Sequence, residues 1–91
     1  MTLNTLFTTI LERKNHPTEG SYTARLLADG EDEIVKKVGE EAIEVILAAK
    51  AQGNARLVEE VADLTYHVLV LLASRGLTPE DITAELERRK R

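Results

Sequence analysis

Two acidic repeats, Glu41-Ala42-Ile43-Glu44 and Glu60-Val61-Ala62-Asp63, carry the chemistry legible in this chain. Each sets two carboxylates three residues apart, and on an α-helix that spacing stacks them on one face, one turn apart. Both repeats lie in strongly apolar segments, where an unpartnered acid is expensive to bury. Four carboxylates from two facing helices would make an oxygen-rich site for a hard divalent cation such as Mg2+. A metal held with open coordination positions bridges phosphate oxygens and activates water, which suits cleavage of a phosphoanhydride. Rival chemistries find less support. There is no cysteine, so thiolate nucleophiles, disulfides and Cys-type zinc sites drop out. No Gly-rich segment ends in Gly-Lys-Ser or Gly-Lys-Thr, so there is no P-loop. A di-iron bundle would want Glu-x-x-His, but Asp63-Leu64-Thr65-Tyr66 lacks the His and His67 comes one residue late.

These acids need helices to position them, and the periodicity supplies helices throughout. Leu3, Leu6, Phe7, Ile10 and Leu11 recur at helical spacing, with Thr2 placed to begin the segment. Asn15 to Gly20 reads as a loop, and Ser21 caps a short helix from Tyr22 to about Ala28 that Asp29-Gly30 ends. A long helix is expected from Glu31 to about Gln52, with Ile34, Val35, Val38, Ala42, Val45, Ile46 and Ala49 as its main apolar stripe. Gly53 ends it, and Asn54 is expected to cap a second long helix running to about Ser74, with Gly76 as its stop. Thr78-Pro79-Glu80-Asp81 opens a last helix, which ends in Arg88-Arg89-Lys90-Arg91. No strand pattern is present. The expectation is one all-α domain over residues 1–91, built on two long antiparallel helices with shorter flanking helices.

At about 100° per residue, Lys37, Glu41, Glu44 and Ala48 share a strip beside the main stripe of the first long helix. Glu60, Asp63 and His67 share a strip on the second, whose remaining residues from Val61 to Ala73 are almost all apolar. A helix apolar nearly all round is expected at the centre of its bundle, with its polar strip facing the acidic strip of its neighbour. The competing reading is a solvated helix face, the ordinary fate of paired charges. Apolar flanks and a shortage of compensating bases weigh against it, because like charges repel unless a cation intervenes.

Composition bounds the partners. Aromatic residues make up only 3% of the chain and the net charge is -4, so neither a stacking platform nor a basic surface for nucleic acid is visible. A nucleotide substrate stays open, since a bound metal offsets phosphate charge locally. The longest apolar run, Val68 to Ala73, is too short to span a bilayer, and the N-terminus lacks the basic start of a signal peptide. Together with the absence of cysteine, this fits the cytoplasm.

At these residues the chain resembles the all-α nucleoside triphosphate pyrophosphohydrolases, the MazG-like superfamily. More narrowly it is similar to the phosphoribosyl-ATP pyrophosphohydrolases of histidine biosynthesis. The resemblance runs from about Leu3 to Arg88 and is carried by Ser21 to Leu27, Lys37 to Ala42, Glu60 to Leu64 with Tyr66-His67, and Ser74 to Leu77. It implies Glu41, Glu44, Glu60 and Asp63 as Mg2+ ligands and hydrolysis of phosphoribosyl-ATP to phosphoribosyl-AMP and pyrophosphate. Glu40 and Glu59 adjoin the motif, which leaves open which member of each pair binds metal. Two other functions compete: a house-cleaning enzyme for other nucleoside triphosphates, and a non-catalytic helical dimerisation module.

The remaining candidates have two readings each. Lys37 either bridges to Glu41 or contacts a phosphate. Arg25 either contacts a phosphate or lies on the surface. Ser21 is an N-cap or part of a phosphate site at a helix N-terminus. Tyr22 is core or a lid over the base. His67 reads as packing behind the site rather than as a ligand, and the basic tail from Arg88 to Arg91 as solvated. His16 has no assigned role. Finally, Ile43 and Leu47 form a second apolar strip that one chain cannot cover, so a homo-oligomer, at least a dimer with a four-helix core, is expected.

Overall fold

A computed structural model describes residues 1–90 and shows five helices: α1 (Leu3–Asn15), α2 (Tyr22–Asp29), α3 (Glu31–Ala51), α4 (Gly53–Ser74) and α5 (Pro79–Arg88). Among the described residues there is no strand, and no helix is long and apolar enough to cross a membrane. The all-α expectation holds.

Local sequence explains each boundary. Thr2 and Thr5 exchange hydrogen bonds in a capping box that opens α1, and Ser21 accepts from the Ala24 amide at 3.1 Å to open α2. Thr78 and Asp81 do the same for α5, with Pro79 in its first turn. Glu31, Asp32 and Glu33 stand in the first turn of α3, where acids complement the positive end of the helix dipole. The reversal between the long helices uses Gln52 and Gly53, whose φ of 85° is open to glycine at little cost. Asn54, expected as the cap of α4, lies inside it. The helix starts at Gly53 with Gln52 before it and no side-chain cap, because the chain turns too tightly to leave a separate capping residue.

The long helices form an antiparallel hairpin, and α1 and α2 pack against one end of it. There Phe7, Ile10, Leu26, Ile34, Leu69, Val70, Leu72 and Ala73 make the core. Lys14 reaches from α1 to donate to the Ala73 carbonyl at 2.7 Å, a second hydrogen bond for an acceptor at the end of α4 that the Gly76 amide also meets at 3.2 Å. Arg75 pairs with Glu31, tying the end of α4 to the start of α3.

The hairpin's other end is bare. Ile43, Ile46, Leu47, Val58 and Val61 are exposed, Val58 at 68%. Two expectations are corrected here. The main stripe of α3 is only partly its buried face: Ile34 is fully buried and Val38, Ala42 and Val45 are half-buried, but Val35, Ile46 and Ala49 are exposed, and Ala48, outside the stripe, is fully buried. Likewise α4 is enclosed mainly along its C-terminal half, where its buried residues other than Glu60 lie. In both cases apolar surface outruns the partners that one chain provides. The last helix, α5, has no buried residue; Ile82 and Leu86 are exposed, and Arg88 and Arg89 pair with Glu85 rather than standing free. Arg91 lies outside the described residues.

Candidate metal centre

Ile34, Glu41 and Ala48 are spaced by seven, so they share one line along α3, and the two apolar ends of that line are buried. Glu60 and His67, also seven apart, lie along α4 and are both buried. The acidic strips therefore run along the inside of the hairpin. Glu41, Glu60 and Asp63 each present a carboxylate oxygen, and these three oxygens lie within 4.8 Å of one another. Glu41 is half-buried, Glu60 is only 6% exposed and Asp63 is exposed, so the cluster opens outward from a buried base. Three convergent carboxylates are hard oxygen donors and fit a cation such as Mg2+ in kind. Glu44, half-buried one turn further along α3, is not part of this cluster.

Spacing settles the neighbouring acids differently. Glu59 and Glu40 are exposed. Lys37 pairs with Glu40 at 3.5 Å, and that i, i+3 bridge takes the place of the expected contact with Glu41.

One cation at the centre escaped the sequence reading. Arg56 donates through Nη2 to Glu60 Oε1 at 2.7 Å and through Nη1 to Glu59 Oε1 at 3.0 Å. Its guanidinium is held more basic than usual, first by the hydrogen bond to Glu59 and then by the charges of Glu60 and Glu59. The signal was present: Arg56 precedes Glu60 by four residues and Glu59 by three, the helical spacings of an ion pair.

Behind the carboxylates stands a polar cluster joining α2 to α4. His67 Nδ1 lies 2.8 Å from the Asp63 carbonyl, which can only accept, so Nδ1 carries the proton. Nε2 is then an acceptor, and the Tyr22 hydroxyl donates to it at 3.3 Å. With both nitrogens engaged, His67 packs behind the site. Its ring stands edge-on to Tyr66, 4.9 Å between centroids, and Thr23 hydrogen-bonds the Tyr66 hydroxyl. Burial pushes the Tyr66 pKa up, against the opposing effect of that hydrogen bond. Tyr22 is partly exposed, and the Arg25 guanidinium lies over its ring, 5.5 Å from the centroid. Ser21 serves as the N-cap of α2.

An all-helical chain that turns three carboxylates into the seam of its own hairpin has the build of an all-α pyrophosphohydrolase. The comparison with known proteins narrows this. The model of the family described as Phosphoribosyl-ATP pyrophosphohydrolase matches residues 3–90, and the chain belongs to that family. A phosphoribosyl-ATP pyrophosphatase of Pelotomaculum thermopropionicum is 58% identical over 85 residues, covering 93% of this chain and 87% of the relative. One from Sulfurisphaera tokodaii is 52% identical over 87 residues, covering 96% and 93%. One from Listeria welshimeri is 56% identical over 88 residues, covering 97% and 84%.

Proposed function

We propose that this protein hydrolyses phosphoribosyl-ATP to phosphoribosyl-AMP and pyrophosphate, as a Mg2+-dependent cytoplasmic enzyme of histidine biosynthesis. The observation that carries the reading is the convergence of Glu41, Glu60 and Asp63 in a chain whose relatives are phosphoribosyl-ATP pyrophosphatases over nearly their whole length. These three residues hold the cation, with Glu44 as a further ligand from the next turn of α3. When bound, Mg2+ neutralises phosphate charge and lowers the pKa of a coordinated water. The chain's own part is to orient. The half-buried base of the cluster fixes Glu60, while the open side at Asp63 admits the substrate. Lys37, Arg25, Tyr22 and Ser21 are assigned to substrate binding: two cations for phosphate, an aromatic face, and the N-terminus of α2.

The working unit is a homodimer or larger. The exposed apolar residues Ile43, Ile46, Leu47, Val58 and Val61 lie together on the bare end of the hairpin, and patches of that kind are rare on monomers. A two-fold axis there buries both copies' patches at once and encloses the acidic seam between two hairpins.

The test is pyrophosphate release from phosphoribosyl-ATP, set against ordinary nucleoside triphosphates, with and without EDTA. Preference for phosphoribosyl-ATP that is lost in EDTA and restored by Mg2+ supports the assignment. Equal turnover of ordinary triphosphates favours a house-cleaning enzyme, and no turnover of either leaves only a helical assembly module.

A further inference from the structure

The carboxylate cluster has a side-chain cation at its base. Glu60 is buried, and a buried carboxylate without a counter-charge is strongly destabilising. Arg56 supplies that counter-charge at 2.7 Å. Its own side chain is 46% exposed, so the guanidinium is free to swing in a way that Glu60 is not. Beside it, Glu59 offers a second acceptor at 3.0 Å, outside the carboxylate cluster and open to solvent. A single arginine thus spans two acids, one inside the cluster and one outside.

We propose that Arg56 is a tethered stand-in for the metal: it balances Glu60 in the metal-free protein, and the arriving cation displaces it onto Glu59. This rests on the metal reading above and adds a device to it. Both states of Glu60 are then paired, so the hairpin keeps its buried acid satisfied whether or not metal is bound. Exchange has a second consequence. In this exchange metal binding breaks the Arg56–Glu60 contact, so affinity for the bare cation is held down and full occupancy waits for substrate phosphates to add their own oxygens. Arg56 acts through Glu60, as a positioning residue.

The test titrates Mg2+ into the substrate-free protein by calorimetry and follows melting in EDTA and in Mg2+. Arg56→Gln is expected to bind Mg2+ roughly threefold to tenfold more tightly, the scale of one partly exposed ion pair. The same variant is expected to melt lower than wild type in EDTA and to regain more on adding Mg2+. Arg56→Lys, which keeps the charge and one donor, is expected to fall between the two. Arg75→Gln makes the same change in net charge twelve residues beyond Asp63, roughly 18 Å along α4, and is expected to leave Mg2+ affinity unchanged. Glu59→Gln is expected to weaken Mg2+ binding in wild type by removing the second acceptor, and to change it by less than about twofold in the Arg56→Gln background. Equal Mg2+ affinity in wild type and Arg56→Gln overturns the exchange and leaves the metal centre standing. Tightening of the same size in Arg75→Gln, or an undiminished Glu59→Gln effect without Arg56, also overturns it. Absence of Mg2+ binding in both wild type and Arg56→Gln overturns the metal reading and the exchange with it.

Discussion

The two ends of the α3–α4 hairpin are built from similar residues and meet opposite fates. At one end Ile34, Leu69, Val70 and Ala73 are closed over by Phe7 and Ile10 of α1 and Leu26 of α2. At the other, Ile43, Ile46, Leu47, Val58 and Val61 stay exposed among the described residues. Hydrophobicity is the same in kind at both ends; the supply of partner elements differs. The packed end carries the chain's own stability, and the bare end is the surface proposed above to meet a second copy. The carboxylates share the bare end's turns, Ile43 falling between Glu41 and Glu44 and Val61 between Glu60 and Asp63, but Glu41 and Glu60 are turned into the seam between the helices. Such a place lets acids converge without disturbing the core that holds the helices together.

The largest effect should come from the seam itself. Glu41→Gln is expected to lower turnover of phosphoribosyl-ATP about a hundredfold to a thousandfold, the scale of removing one group that organises charge in a transition state. Melting in EDTA should hold or rise, because one of three crowded negative charges is gone. Glu44→Gln sharpens the assignment. An equal loss would place Glu44 among the ligands, and near-full activity in Mg2+ would confine the centre to the three clustered acids.

Next in size is the packed end. Ile34 is 0% exposed, so Ile34→Ala is expected to cost about 2–5 kcal/mol of stability, read from denaturant unfolding. The same truncation at Ile46, which is 59% exposed, should cost far less in a dilute, dissociated sample. Equal losses at both positions under those conditions would break the distinction between the ends.

The sequence made this distinction only half legible. Element order, the caps at Thr2, Ser21 and Thr78 and the all-α class all follow from local rules, because caps and helical periodicity act over a few residues. Which face of α3 is inside does not. Periodicity puts Val35, Ile46 and Ala49 on the main apolar stripe, and a rule that hides the most apolar stripe would bury them. The hairpin instead turns the strip of Glu41 and Ala48 inward, where Ala48 is fully buried and Glu41 meets Glu60 and Asp63. The clustering of Glu41, Glu60 and Asp63 was readable from their spacing; the position of Glu44 outside that cluster depends on how α3 is rotated against α4, which spacing leaves open. The Arg56 contacts to Glu59 and Glu60 are legible too, since they follow the i, i+3 and i, i+4 spacing of helical ion pairs.

Association is the third point of leverage. Ile46→Glu places a charge on the bare patch, and in a single chain this change is benign. If the patch is an interface between copies, the dimer's Kd should rise at least about tenfold, since an unpaired charge would be buried there. Light scattering across a dilution series reads the shift. An unchanged molar mass over the whole series would remove the bare end from the interface and leave its exposed side chains without a role.

The smallest effect tests how the packed end is clasped. Glu31 is held below the ordinary carboxylate range by its hydrogen bond to Arg75, against slight desolvation and with help from the Arg75 charge. Its folded pKa is therefore below its unfolded one, and the unfolded chain binds the extra proton as pH falls. The pair's contribution is complete above about pH 4.5, near the unfolded value for Glu, and drains away as pH falls through the lowered folded value. Arg75→Gln should accordingly melt slightly below wild type at neutral pH, with the gap closing in acid and also in about 1 M salt, where an exposed pair is screened. Glu85 on α5 is lowered in the same way, by Arg88 and then Arg89. There the expectation differs, because α5 buries no residue and its ion pairs brace nothing but their own helix. Arg88→Gln should leave the global melting temperature where it was. A shift equal to that of Arg75→Gln would mean that α5 is packed in the assembled protein, and would extend the bare end's missing cover to the exposed Ile82 and Leu86.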